Sequence, residues 1–85
     1  DVDIRTLGWS NYIWVFDNEP RNRENINRID KTIDRGDQVI IWPNHIVEKD
    51  INDMVLSGRN VENLLESNTY SGLEAKLKLK SWKKV

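Results

Sequence analysis

The chain has 85 residues, 38% of them apolar and 32% charged, with no cysteine, four tryptophans and a formal net charge of −1. That length suits one small globular unit, since a domain usually takes about 100–200 residues. The composition excludes a disulfide framework and a cysteine-based zinc site, and no run approaches the ~20 apolar residues of a membrane-spanning helix.

At this size a fold buries only roughly 60–65% of the surface its unfolded chain exposes, so the core is thin and each large apolar residue counts. The near-neutral total also conceals an asymmetry. Residues 1–68 carry eight Lys/Arg against thirteen Asp/Glu, a net of −5, whereas residues 69–85 carry Lys76, Lys78, Lys80, Lys83 and Lys84 against Glu74 alone, a net of +4. An acidic body with a basic tail points to cation binding in one place and polyanion contact in another; a solvated basic terminus is the plain alternative. A start at Asp1, with the only methionine at position 54, reads as a piece of something longer.

Residues 1–9 are weakly patterned. Residues 12–16 (Tyr-Ile-Trp-Val-Phe) and 38–42 (Gln-Val-Ile-Ile-Trp) are short continuous apolar runs rich in β-branched and aromatic types, the pattern of strands covered on both faces as in a parallel sheet. Between them, Ile26, Ile29 and Ile33 recur at helical spacing with Arg28, Asp30, Lys31 and Asp34 off that stripe. Pro20 punctuates the start of this helix, and Gly36 fits the position just beyond its end. Strand, helix and strand with short links predict one βαβ unit with parallel strands and a right-handed crossover.

Beyond Pro43 the spacing predicts a short helix over 51–57, N-capped by Asp50 and stopped by Gly58, then a second over 61–67 capped by Asn60. The tail is two-sided. Tyr70, Leu73 and Leu77 share one helical face while Ala75, Leu79 and Trp82 share the opposite one, and residues 77–80 also alternate like a strand. Its Leu, Glu, Ala and Lys content favours helix. The expected fold class is therefore α/β, a βαβ core of parallel strands followed by short C-terminal helices.

The chemistry concentrates in Asp17-Asn18-Glu19-Pro20, directly after the first apolar strand. Open α/β sheets bind ligands beyond the carboxyl ends of their strands, and two carboxylates one residue apart can share a hard cation such as Mg²⁺. Asp50 and Asp53 follow the second strand and belong to the same sheet edge. Asp and Asn are also ordinary turn residues after strands, and Asp50 is already placed as a cap. His45 has no Cys, Ser or second His to act with and reads as a surface residue. Arg21, Arg23 and Arg28 flank the acidic pair, where they could contact phosphates or simply pair with neighbouring carboxylates. Trp14 and Trp42 lie inside the apolar strands and read as core. Trp82, beside Lys80, Lys83 and Lys84, is the better candidate for nucleic-acid contact.

These blocks carry a resemblance. Trp14-Val15-Phe16-Asp17-Asn18-Glu19-Pro20-Arg21, then a helix, then Gln38-Val39-Ile40-Ile41-Trp42, then Lys49-Asp50-Ile51-Asn52-Asp53-Met54 resembles the C-terminal part of the DNA primases of T-even-type bacteriophages. More generally it resembles the second half of a Toprim domain, the Rossmann-like metal-binding fold of bacterial-type primases and topoisomerases. The closing Gly72-Leu73-Glu74-Ala75-Lys76-Leu77-Lys78-Leu79 is similar to the end of those primases.

The resemblance implies a single unit over 1–85, with a Toprim-like βαβ and acidic loop at 10–58 and a C-terminal helical segment at 59–85. It implies Asp17, Glu19 and Asp50 as catalytic carboxylates holding Mg²⁺ or Mn²⁺, with Asp53 in support and no zinc. Glu19 stands where the wider family has a second Asp. Arg21, Arg23, Lys49, Lys80, Trp82 and Lys83 would contact nucleic acid. The implied activity is nucleotidyl transfer in RNA primer synthesis, with single-stranded DNA template, ribonucleotides, the replicative helicase and the remainder of the primase chain as partners, no membrane, and the cytoplasm of an infected bacterial host as location. The family's first acidic element, a Glu ending an earlier strand, has no match in residues 1–9, so the chain alone is expected to bind metal weakly and to be inactive. A non-catalytic module docking on helicase or DNA through the basic C-terminal helix is the alternative, as is a Toprim domain of a topoisomerase or nuclease.

Overall fold

The computed structural model describes residues 2–7 and 11–84, with side chains from residue 12 onward. In chain order the elements are β1 (Val2–Leu7), β2 (Asn11–Phe16), α1 (Arg23–Asp34), β3 (Gln38–Ile40), α2 (Ile51–Leu56), α3 (Val61–Ser67), β4 (Thr69–Tyr70) and α4 (Gly72–Trp82). The strands form one sheet in the order β1-β2-β3-β4.

The expected βαβ unit is present. β2 and β3 are parallel, with Ile13 opposite Gln38 and Trp14 opposite Val39, and α1 connects them. The sheet as a whole is mixed, because β1 pairs antiparallel with β2 and the two-residue β4 pairs antiparallel with β3. The weakly patterned start of the chain thus contains a six-residue strand. The second apolar run pairs as a strand only as far as Ile40: beyond it the Ile41 amide donates to the Asn68 carbonyl, and the buried Trp42 indole donates to the Phe16 carbonyl at 2.9 Å. The apolar run is longer than the strand because burial continues past the last strand pairing.

Local chemistry sets the helix ends. Asn22 caps α1 through its side-chain oxygen, which accepts from the Asn25 amide, and Asp50 and Asn60 cap α2 and α3 in the same way. After α1, Gly36 adopts φ +87°; its amide donates to Ile33 and the Asp37 amide to Thr32, satisfying two carbonyls that the helix leaves open. The same pair of bonds closes α2 at Gly58, φ +84°, and delivers Arg59 to the far side of the turn.

The core gathers Ile13, Val15 and Phe16 from β2, Ile26, Ile29 and Ile33 from α1, and Val39 and Ile40 from β3. Ile41, Trp42, Ile46, Met54, Leu65, Ala75, Leu79 and Trp82 join the same cluster. Residues from 59 onward therefore share one core with those before it. The tail is helical, with Ala75, Leu79 and Trp82 buried and Leu73 and Leu77 exposed. α4 is also tied to α1 electrostatically, since the Lys76 ammonium bridges Asp30 and, at 2.7 Å, Asp34, two carboxylates one helical turn apart. Those two partners, Asp30 first, raise the Lys76 pKa, so this tie persists at neutral pH and weakens only as pH climbs past the usual lysine range.

Met54 is wholly buried, whereas Leu56, two residues later on the same short helix, is 77% exposed. Met54→Ala should lower unfolding stability by roughly 2–5 kcal/mol. Leu56→Ala should stay within about 0.5 kcal/mol. Urea denaturation of the two variants checks the contrast.

Candidate functional site

β2 ends where the Trp42 indole takes the Phe16 carbonyl, and residues 17–22 turn the chain toward α1. The turn is fixed from within: the Asp17 carbonyl accepts both the Glu19 amide and the side-chain amide of Asn25, and the Asn22 amide donates to the Glu19 carbonyl. Asn25 is a buried polar residue at 8% exposure, and its bond to Asp17 satisfies it while tying the acidic turn to α1.

Asn18 joins this turn to two distant parts of the chain. Its amide donates to the Lys49 carbonyl at 2.6 Å, and its Nδ2 donates to the carbonyls of Ile46 at 2.8 Å and Glu48 at 3.1 Å. Its Oδ1 accepts from the Trp82 indole at 3.1 Å. The two blocks singled out in the sequence, Asp17 to Arg21 and Lys49 to Met54, are thereby brought side by side. Asp17, Glu19 and Asp50 are all half-buried along this edge, and Asp53 is exposed.

The acids do not form a ready-made cage. Among the described residues, no group of three or more acidic or histidine side chains is gathered closely enough to hold a metal ion. Asp50 uses one carboxylate oxygen to cap α2, accepting from the Asp53 amide at 2.8 Å. Among the described residues, these acids do not by themselves make up a self-contained metal site.

Glu48, which sequence reasoning passed over, is the best-supported carboxylate here. It pairs with Arg59 at 2.7 Å and accepts the Val47 amide at 3.2 Å. The hydrogen bond from Arg59 holds its carboxyl below the usual range, against the opposing effect of partial burial. The pair staples the segment that Asn18 grips to the turn after α2.

The cations divide clearly. Arg28 pairs with Glu24, Arg35 with Asp37 and Arg59 with Glu48. Arg21 and Arg23 stay exposed, and the tail returns to them: the Lys84 amide donates to the Pro20 carbonyl at 2.8 Å, setting Lys83 and Lys84 beside the start of α1. Lys49 is exposed next to the acidic turn, and Lys80 is exposed on α4. Trp82 is only 4% exposed, with its indole nitrogen bonded to Asn18, so it serves as a core anchor and offers no open stacking face. Trp42 is core as expected. Trp14 is half-buried, with the Arg35 guanidinium 5.1 Å from its ring centroid. His45 is exposed.

Asn18, Asn25 and Glu48 are the structural residues of the site that the sequence did not reveal. Asn18 read only as a turn residue between two acids, because partners 28, 30 and 64 positions away leave no periodic trace.

The fold and this edge define a small α/β unit with a mixed sheet whose polar residues collect at the end of its parallel strand pair. The chain is similar to the DNA primase of Enterobacteria phage T4, with 37% identity over 78 residues that cover 86% of this chain and 23% of that protein. It is thus related to a region of a phage DNA primase and spans less than a quarter of that relative's length. No protein-family profile matches the chain. Among the described residues, no helix is long and apolar enough to cross a membrane.

Because its pKa is depressed in the folded state, Glu48 contributes stability that is present above the unfolded carboxylate pKa of about 4.3 and is lost as pH falls through the lower folded value. Glu48→Gln should therefore melt below wild type at neutral pH, and the gap should close as pH drops below about 4. Thermal melts of both proteins across that range check the sign.

Proposed function

We propose that this chain is a section of a phage-type DNA primase whose Toprim-like edge carries Asp17, Glu19 and Asp50 toward the centre of RNA primer synthesis on single-stranded DNA. The observation that carries the reading is the Asn18–Lys49 bond at 2.6 Å, which sets the Asp-Asn-Glu-Pro-Arg and Lys-Asp-Ile-Asn-Asp-Met blocks together, in a chain similar to T4 DNA primase. Since the acids do not close a metal cage among the described residues, they are assigned as an incomplete ligand set. The missing ligands come from other parts of the primase, and the isolated chain makes no primers. The replicative helicase, template strand and ribonucleotides are partners of that larger assembly.

A second reading has its own observation. Leu73 and Leu77 are 77% and 59% exposed on α4, beside Lys78 and Lys80, which suits a docking helix for helicase or DNA with a purely structural acidic turn.

Paramagnetic Mn²⁺ separates the two. Titrated into the ¹⁵N-labelled chain, it should broaden the amides at 17–19 and 49–51 first, with an affinity of about 1 mM or weaker given the few carboxylates. Asp17→Asn should reduce that broadening severalfold. Broadening spread evenly over the acidic surface, or unchanged in Asp17→Asn, would remove the metal role and leave the docking reading.

A further inference from the structure

Two edges bound the sheet, and they differ. β4 is two residues long and gives way at once to α4, which starts at Gly72. β1 is six residues long and pairs on one side alone, with β2, in an unbroken antiparallel register from Val2 opposite Phe16 to Leu7 opposite Asn11. Among the described residues, no strand lies on the outer side of β1. The backbone N–H and C=O groups of alternate residues point to opposite sides of such a strand, so every second residue of β1 presents its pair outward.

Exposed edges are ordinarily blunted by a bulge, a proline, lysines or extreme shortness. The register of β1 has no bulge, and its sequence Val-Asp-Ile-Arg-Thr-Leu has neither proline nor lysine. The two charges that it does carry select a partner. An antiparallel pairing of β1 with β1 of a second copy about Ile4 sets Ile4 opposite Ile4, Val2 opposite Thr6, and Asp3 opposite Arg5, the last pair twice by symmetry. Opposite charges directly across two strands support the pair, and like charges oppose it. Sliding the register by two pair positions sets Asp3 on Asp3 in one direction and Arg5 on Arg5 in the other, and an in-register parallel pairing does both. One alignment therefore satisfies both charges, and it is the two-fold symmetric one expected of a self-complementary interface.

We propose that β1 is a self-association edge, through which two copies of this chain pair antiparallel about a two-fold axis at Ile4 and join their four-stranded sheets into one continuous sheet. The pairing uses neither the acidic turn nor the basic tail, so it stands or falls apart from the primase reading.

Sedimentation velocity on the full chain tests it. Between about 10 µM and about 1 mM the sedimenting species should pass from one chain to two, in the weak range that suits an interface of a single strand pair. Asp3→Arg and Arg5→Asp each set two like-charge pairs across the axis and should weaken dimerisation by about tenfold or more. The double swap Asp3→Arg/Arg5→Asp restores opposite charges and should dimerise like wild type. An equimolar mixture of the two single variants should form a heterodimer although neither pairs with itself. Leu77→Lys, on the exposed face of α4, should change nothing. Equal melting temperatures confirm that each variant folds. The proposal is overturned if the chain stays monomeric throughout, which leaves the edge to another segment or protein, or if both single variants dimerise like wild type. It is also overturned if neither the double swap nor the mixture restores pairing, or if Leu77→Lys dissociates the dimer, which assigns the contact to α4.

Discussion

The hydrogen bonds of Asn18 are the constraint on which the arrangement of this small protein depends. One half-buried amide side chain donates to two carbonyls of the 46–48 segment and accepts the indole proton of Trp82, while its backbone donates to Lys49. Each such bond contributes about 1 kcal/mol net, but leaving a buried partner unsatisfied costs about 1–3 kcal/mol. The Trp82 indole nitrogen donates to Asn18, and among the described residues no buried side-chain polar atom lacks a partner. A change at this position thus acts on three segments at once: the turn after β2, the segment leading to α2, and the end of α4.

That coupling explains how a thin core supports a polar edge. The sheet supplies two strands that pair in parallel, and hydrogen bonds finish the ends of β2 and β3: the Trp42 indole donates to the Phe16 carbonyl, and the Ile41 amide donates to the backbone carbonyl of Asn68. α4 then closes over the sheet through Ala75, Leu79 and Trp82, and Lys76 holds it to α1 through Asp30 and Asp34. The basic tail lies where it does because both its anchors, Trp82 and the Lys84 amide, end on the 18–20 turn. Acidic turn and basic tail therefore share one support.

Features governed by short-range chemistry were legible in the sequence. The Ile26, Ile29 and Ile33 stripe, the caps at Asp50 and Asn60, and Gly36 beyond α1 each depend on neighbours within one or two turns. The parallel pairing of two apolar runs around a helix followed from their burial on both faces. Features set by distant partners were not legible. β4 is two residues long and exists because Asn68 and Thr69 bond back to α3 while pairing beside β3. Trp82 read as the better candidate for nucleic-acid contact because of its neighbouring lysines, yet it is buried, and the acceptor for its indole is Asn18, 64 positions away. The acidic pair was visible as a pattern, but only the fold shows that it meets the Lys49-Asp50 segment without closing a three-ligand cluster.

Hydrogen exchange in Asn18→Ala tests the coupling most directly, followed by NMR at the indole protons and amides. With Asn18 as the shared support, protection should fall together at the Trp82 indole, the Ile46 amide and the Lys84 amide, by about tenfold or more for a loss near 1.4 kcal/mol. The Trp42 indole, bonded to Phe16 and independent of Asn18, should keep its protection. Faster exchange confined to Trp82, with Ile46 and Lys84 unchanged, would contradict the account and reduce Asn18 to a local turn residue.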